Sequence, residues 1–293
     1  MRSVSLSTPP DRPTRARKVA TRATTYPAAV VTTSALPVPP TAALKALLPP
    51  DVDLRGRLRH EAARPVWLGM VWGRLGRGDL AWQHFDRVRL PELQPWIAAE
   101  RGRIVRELGG HAAAEALEWR ALVRADEPVD AAMLRVSLTA DAVGMGDVAR
   151  ATSRLQAARE AVAGLTDGPR AARQRLRLVW VEVEVAWLRG DAPPSGGLPE
   201  WHDVLQGPRF PPDHAAGSTF HTAKGLLFAG VVRQDLRLLE TAAQQAPPAL
   251  LWAVHEARAA AGIDGAAAQA TTVRREIVPP PQHGEDVQPS GPT

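Results

Sequence analysis

The stretch "LGMVWGRLGRGDLAWQHFDRV", Leu68 to Val88, decides how this chain folds. Its apolar residues return every three or four positions on either side of a glycine-rich break, the spacing of two amphipathic helices joined by a turn. Gly69, Trp72, Gly76, Ala81 and Val88 find counterparts 33 residues later in Gly102, Val105, Gly109, Ala114 and Ala121. A third copy, shifted by 37, places Leu138, Ala142, Gly146, Ala151, Leu155 and Ala158 at the same internal spacing. Small residues at fixed places let two consecutive helices cross closely, and a glycine after the first helix turns the chain back. Repetition of the unit predicts stacked antiparallel hairpins, each burying its apolar face on the next.

The order Leu68, Gly69, Trp72, Gly76, Ala81, Phe85, Val88 resembles the tetratricopeptide repeat, a helix–turn–helix unit of about 34 residues. The resemblance covers residues 62–163. The second copy has Arg101 in place of the leucine and Glu118 in place of the aromatic, and the third has Thr139 at the first small position. The resemblance implies an all-α fold, a right-handed superhelical stack of hairpins whose concave face binds an extended peptide or a helix of another protein. It further implies that Trp67, Met70, Arg74, Trp96, Arg103 and Arg106 line that face. An apolar patch beside three guanidinium groups suits an acidic, partly apolar peptide or a C-terminal carboxylate, because arginine binds carboxylates through two parallel hydrogen bonds. Glu100 and Glu107, on the same helix surface, are competing partners for those arginines.

Composition divides the chain into four regions. Residues 1–50 are rich in Pro, Ser and Thr without helical or alternating period, and read as a disordered basic tail or an over-extended start. Residues 51–164 hold the three hairpins, 165–270 an irregular continuation of the helical array, and 271–293 a disordered Pro-rich tail. In the continuation a long helix is expected from about Pro169 to Arg189, a short one at Trp201–Gln206, and further helices over about His214–Val232, Gln234–Gln245 and Pro248–Ala261. Within the long helix, Glu182 and Glu184 alternate with valines as in a strand, but the residues before them are helical in pattern.

The pI of about 10.5 points to nucleic acid until the charge is located. Residues 1–50 carry seven basic groups and one acid, and residues 51–293 carry 29 basic and 30 acidic groups. The alternative to a protein partner is therefore nucleic acid bound by the tail together with an arginine cluster, Arg150, Arg154, Arg159, Arg170, Arg173, Arg175 and Arg177. The ratio of 33 Arg to 3 Lys reads as the coding bias of a GC-rich genome. With no cysteine, disulfides, thiol catalysis and cysteine-held metals are excluded, and no apolar run is long enough to span a bilayer. A cytoplasmic location is the expectation.

Two stretches invite a sharper chemistry. Thr219, Phe220, His221, Ala223, Lys224, Gly225, Leu226 and Phe228 resemble a DNA-contacting motif of Rep-type helicases, but Leu227 replaces the glutamate and no G-x-x-x-x-G-K-(S/T) phosphate loop exists in the chain. Phe220, Ala223, Leu227 and Val231 share one helical stripe, so the stretch reads as a packed helix. His202, Asp203, His214 and His221 straddle a Pro-rich loop and lack the i, i+4 histidine pair of a metal helix, so no metal or cofactor is expected. The resulting expectation is a non-enzymatic protein-interaction module.

Overall fold

The computed structural model describes residues 37–38, 64–192 and 219–281, and these form an all-α structure. Eleven α-helices occur among them: α1 (Arg64–Arg74), α2 (Gly78–Phe85), α3 (Gln94–Glu107), α4 (His111–Leu122), α5 (Pro128–Gly144), α6 (Val148–Ala163), α7 (Pro169–Arg189), α8 (Thr219–Arg233), α9 (Leu236–Gln245), α10 (Pro248–Ala260) and α11 (Ala266–Glu276). None of them is long and apolar enough to cross a membrane. The short helix expected at Trp201–Gln206 lies outside the described residues, as does residues 1–50 apart from Pro37 and Val38.

Consecutive helices pair tightly as α1 with α2, α3 with α4, α5 with α6, α8 with α9 and α10 with α11. The first hairpin shows why small residues are needed. A Cβ built on Gly69 would lie 2.5 Å from Cε1 of Phe85 and 3.0 Å from the Ala81 carbonyl, so only glycine admits the ring that fills the crossing. Around it Met70, Ala81, Phe85, Val88, Trp96 and Ile97 form a buried cluster that also joins the next hairpin. The departures from the repeat pattern are packed with equal economy. Arg101 lies over Trp82, 4.8 Å from the ring centroid, and pairs with Asp86, so its guanidinium covers the apolar surface a leucine would.

The same turn closes helices within and beyond the three copies visible in sequence. The N–H of Arg77, Gly110, Asp147, Asp191, Asp235 and Ile263 donates to the carbonyl of Trp72, Val105, Ala142, Ala186, Gly230 and Arg258 respectively, in each case five residues back. The residue before each of these donors has positive φ: Gly76, Gly109, Gly146, Gly190, Gln234 and Gly262. This is the Schellman closure of a helix C-terminus. Among the described residues it ends α1, α3, α5, α8 and α10, the first helix of each of the five tight pairs, and it ends α7 as well. Gln234 explains why the α8–α9 pair is hard to see in sequence, since the glycine signal is absent there.

The two ends of the array meet. α10 packs against α1, the Gly78 N–H donates to the Val278 carbonyl at 2.8 Å, and the Val278 N–H donates to the Gly76 carbonyl at 2.8 Å. Two boundaries therefore differ from the composition reading. α11 runs past Ala270 to Glu276, because the helix breakers begin only at Pro279. Pro37, inside the expected basic tail, offers its carbonyl to Trp72 Nε1 at 3.0 Å and to His84 Nε2 at 3.2 Å.

Gly69→Ala should lower the unfolding free energy by about 1–3 kcal/mol, the usual cost of overpacking, and Phe85→Leu in the same chain should recover part of it. Urea denaturation of the single and double variants measures both.

Candidate functional site

The first helices of the units face one another around a cavity of about 560 Å³. Every one of α1, α3, α5, α7, α8 and α10 contributes to its wall, as do Arg274 of α11 and Ile277 just beyond its end. Spacing of three to four residues, one helical turn, or of seven, two turns, directs Glu100, Arg103, Arg106 and Glu107 on α3, then Arg173, Gln174, Arg177 and Glu184 on α7, to the inside. Trp96, Trp180, Phe220, Phe228 and Trp252 supply aromatic wall. Leu108 and Arg274, both exposed, mark where the cavity meets solvent.

Charge is unevenly matched inside. Arg103 donates from Nε to Glu100 at 2.9 Å and from Nη1 to Glu107 at 2.8 Å, and Arg74 Nη2 lies 3.8 Å from Glu100. Burial works against the Arg103 charge, but Glu107 and Glu100 outweigh it and hold the pKa above the ordinary arginine value. Burial likewise opposes the Glu100 charge, and Arg103 and Arg74 overcome it. Arg106 spans three helices: Nη2 reaches Glu118 on α4 at 2.6 Å and Nε reaches Asp141 on α5 at 2.6 Å. Both carboxylates are fully buried.

Glu118 occupies the position that Phe85 fills in the first unit. Burial, and the neighbouring Asp141 to which it can donate, push the Glu118 carboxyl up to about 8. Its Oε2 and the Asp141 Oδ2 receive no donor from the described residues. A polar triad thus replaces an aromatic plug.

Two cations lack such matching. Among the described residues Arg177 donates only to neutral oxygens, Gln174 Oε1 at 2.9 Å and Ser137 Oγ at 2.7 Å. No hydrogen bond or ion pair from the described residues reaches the Lys224 ammonium, which sits 5.2 Å and 5.7 Å from the ring centroids of Trp180 and Phe228. Burial and the surrounding arginines, Arg106 first, bring Arg177 down to about 10, and burial lowers Lys224 as well, against the pull of Glu184. His221, stacked 6.3 Å from Trp180, is driven well below the ordinary histidine range by burial and by Arg74 and Arg173, so it is neutral at pH 7.

The residues expected to line a concave face separate into two groups. Arg74, Trp96, Arg103 and Arg106 line the cavity. Trp67 and Met70 do not; they lie in the core between the first two units, packed with Phe85 and Ile97, because their side of α1 meets the neighbouring helices. The arginines considered for nucleic acid are dispersed. Arg150 and Arg154 pair with Glu115, Arg159 with Glu182, Arg170 with Asp130 and Arg175 with Asp167, whereas Arg173 and Arg177 line the cavity. Of the four residues considered for a metal, His202, Asp203 and His214 lie outside the described residues; His221 is the cavity residue above. Among the described residues no group of three His, Asp or Glu gathers in a metal-holding arrangement.

Lys224 entered the sequence reading only within the helicase-like stretch, which is helical throughout as α8. A compositional signal marks it: Lys18, Lys45 and Lys224 are the only lysines of the chain, so Lys224 stands alone in the arginine-dominated body. The fold and the site together define an all-α protein of tightly packed helix pairs, compatible with a helical repeat, around a net-cationic, aromatic-walled interior. No protein-family model, curated protein or solved structure significantly matches the chain.

Because the Glu118 pKa is higher in the folded chain than its ordinary 4.5, the stabilisation it brings is complete below about 4.5 and lost as pH rises through about 8. Melting temperature should therefore fall between about pH 5 and pH 9, and Glu118→Gln, an isostere of the protonated acid, should flatten that fall. Arg106→Met, which leaves two buried acids without their cation, should cost about 3–5 kcal/mol at pH 7. Thermal melts across a pH series check the first expectation and urea titration the second.

Proposed function

We propose that this chain is a non-enzymatic binding module for another protein, and that its tetratricopeptide-like array receives an acidic, partly apolar segment of that partner on the inward faces of its first helices. The observation that carries this reading is the charge imbalance of the cavity. Arg74, Arg103, Arg106, Arg173, Arg177 and Lys224 share it with Glu100, Glu107 and Glu184, and neither Arg177 nor Lys224 has a carboxylate in ion-pair contact among the described residues. A ligand carboxylate supplies the missing negative charge, while Trp96, Trp180 and Phe228 offer apolar surface to its neighbours.

Size narrows the partner's form. A helix with side chains is about 10–12 Å across and rises about 5.4 Å per turn, so roughly one turn fills 560 Å³. A short chain end is the better match than a helix lying along an open groove, since α10 on α1 and the Gly76–Val278 hydrogen bonds bring the ends of the array together. Trp252 and Arg274, 4.2 Å apart as ring centroid and guanidinium, stand on the wall beside the solvent edge.

Calorimetric titration of the full chain with short acidic–leucine peptides, with basic peptides of equal length and with duplex DNA separates the alternatives. The expected result is binding of the acidic peptides alone, weakening only modestly from 50 to 300 mM salt because the contacts are buried. Binding of DNA with a steep logarithmic salt slope, and of no peptide, would replace this reading with the nucleic-acid one.

A further inference from the structure

A recess of about 190 Å³ adjoins the main cavity between α5 and α7. Arg106, His111, Arg177, Trp180, Glu184 and Lys224 line both spaces, and Val136, Ala140, Val143 and Val181 make the rest of the recess apolar. Of the three cations, Arg106 is committed to Glu118 and Asp141. Arg177 gives two N–H groups to Gln174 and Ser137, both neutral and almost wholly buried, and has others to spare. Lys224 lies against the rings of Trp180 and Phe228 and keeps part of its surface open to the cavity. Neutral partners and aromatic faces do not offset the desolvation of two adjacent cations as a counter-charge does.

The two unmatched cations differ in one chemical respect. A guanidinium stays charged, whereas an ammonium that loses its proton becomes an amine nucleophile. Burial lowers the Lys224 pKa, with Arg177 and Arg106 adding to the effect and Glu184 and Glu107 pulling against it, so free amine is reached nearer neutrality than on an exposed lysine. Composition is an independent pointer. Of three lysines among 33 arginines, Lys18 and Lys45 fall in residues 1–50, and the third stands where the two spaces adjoin. Arginine meets every other need for positive charge on this wall, so a lysine here marks a place where an amine, and not only a charge, is of use.

We propose that Lys224 is a site of reversible carbamylation by carbon dioxide, the carbamate being held by Arg177. The amine lone pair attacks the carbon of carbon dioxide, a C–O π pair moves onto oxygen, and the N–H proton leaves. One ammonium and one carbon dioxide thus become one carbamate and two protons. Glu184, whose pKa burial raises, can take one proton and water the other. The side chain passes from positive to negative, so a surplus cation becomes the counter-charge that Arg177 lacks, and the planar carboxylate matches the guanidinium fork. An imine with an aldehyde or ketone would bring no negative charge and would leave the imbalance in place. Carbon dioxide itself, small and uncharged, suits the apolar side of the recess. The modification requires no partner protein and is independent of the binding-module reading.

The test equilibrates the full chain with isotopically labelled carbon dioxide and bicarbonate in mildly alkaline buffer, converts carbamates into stable ethyl esters with triethyloxonium ion, and maps them by peptide mass spectrometry. Lys18 and Lys45 serve as internal references, and so does the chain unfolded in urea. In the folded chain, trapping at Lys224 should exceed that at either reference by about tenfold or more, the gain from one charge-assisted contact, and in urea the three lysines should react alike. Arg177→Met should remove most of the excess, and Arg177→Lys, which keeps the charge without the fork, should retain part of it. Circular-dichroism melts identify the variants that remain folded. At fixed pH, carbon dioxide should raise the melting temperature of the parent and leave that of Lys224→Arg unchanged, since only the parent binds it at this site. Trapping at Lys224 no greater than at Lys18 and Lys45 in the folded parent would overturn the proposal. So would an excess that survives in a folded Arg177→Met chain.

Discussion

Each first helix of the array ends where one residue takes a positive φ, and the rest of the architecture follows from that constraint. The closure at Gly76, Gly109, Gly146, Gly190, Gln234 and Gly262 satisfies carbonyls that a helix end leaves open, and at all of them but Gly190, beyond which residues 193–218 lie outside those described, the chain is seen to reverse within a few residues. A reversal so short forces the following helix to lie against the one just completed. Where that crossing is tightest the facing residues must be small, and at Gly69 a single added carbon has no room. Repeating the step puts α1, α3, α5, α8 and α10 on one side together with α7, and the contact between α10 and α1 makes that side an interior.

An interior built from the inner faces of helices inherits whatever those faces carry, and here they carry charge. The lattice of Arg74, Glu100, Arg103 and Glu107 and the triad of Arg106, Glu118 and Asp141 show how such a surface is made tolerable: each cation is shared between two carboxylates or each carboxylate between two cations. Burial raises the cost of every unmatched charge, so the places where matching stops are informative. It stops at Arg177 and Lys224, on two different helices, and the structure brings both to the wall of the cavity.

The helical character, the first hairpins and the bounds of α7 and α10 were legible in the sequence because they rest on local chemistry. Apolar spacing, glycine at a helix end and proline at a helix start act within a few residues. Leu68 to Val88 could be read as a hairpin, and the "VWVEVEVAWL" run could be placed in a helix, with Glu182 on the α6 side against Arg159 and Glu184 facing the cavity. Four of the six residues expected on an inward face do line it, since helical phase alone separates Arg74, Arg103 and Arg106 from solvent. Glu118 was visible as a departure from the repeat, but the reason, a cation on α3 and a second acid on α5, depends on residues that only packing brings near.

What the sequence by itself determined is therefore the unit: two short helices, a left-handed turn between them and small residues where they cross. Tertiary structure decided what the unit encloses. Trp67 and Met70 went to the core rather than the inner face because the neighbouring hairpin covers their side of α1, a matter of packing and not of period. Arg173 and Arg177 left the arginine run of their sequence neighbours for the cavity because α7 presents alternate faces to α6 and to the interior. Lys224 acquired its significance only when α8 was set against α7, for an ammonium has no special character until its surroundings remove water and withhold a counter-charge.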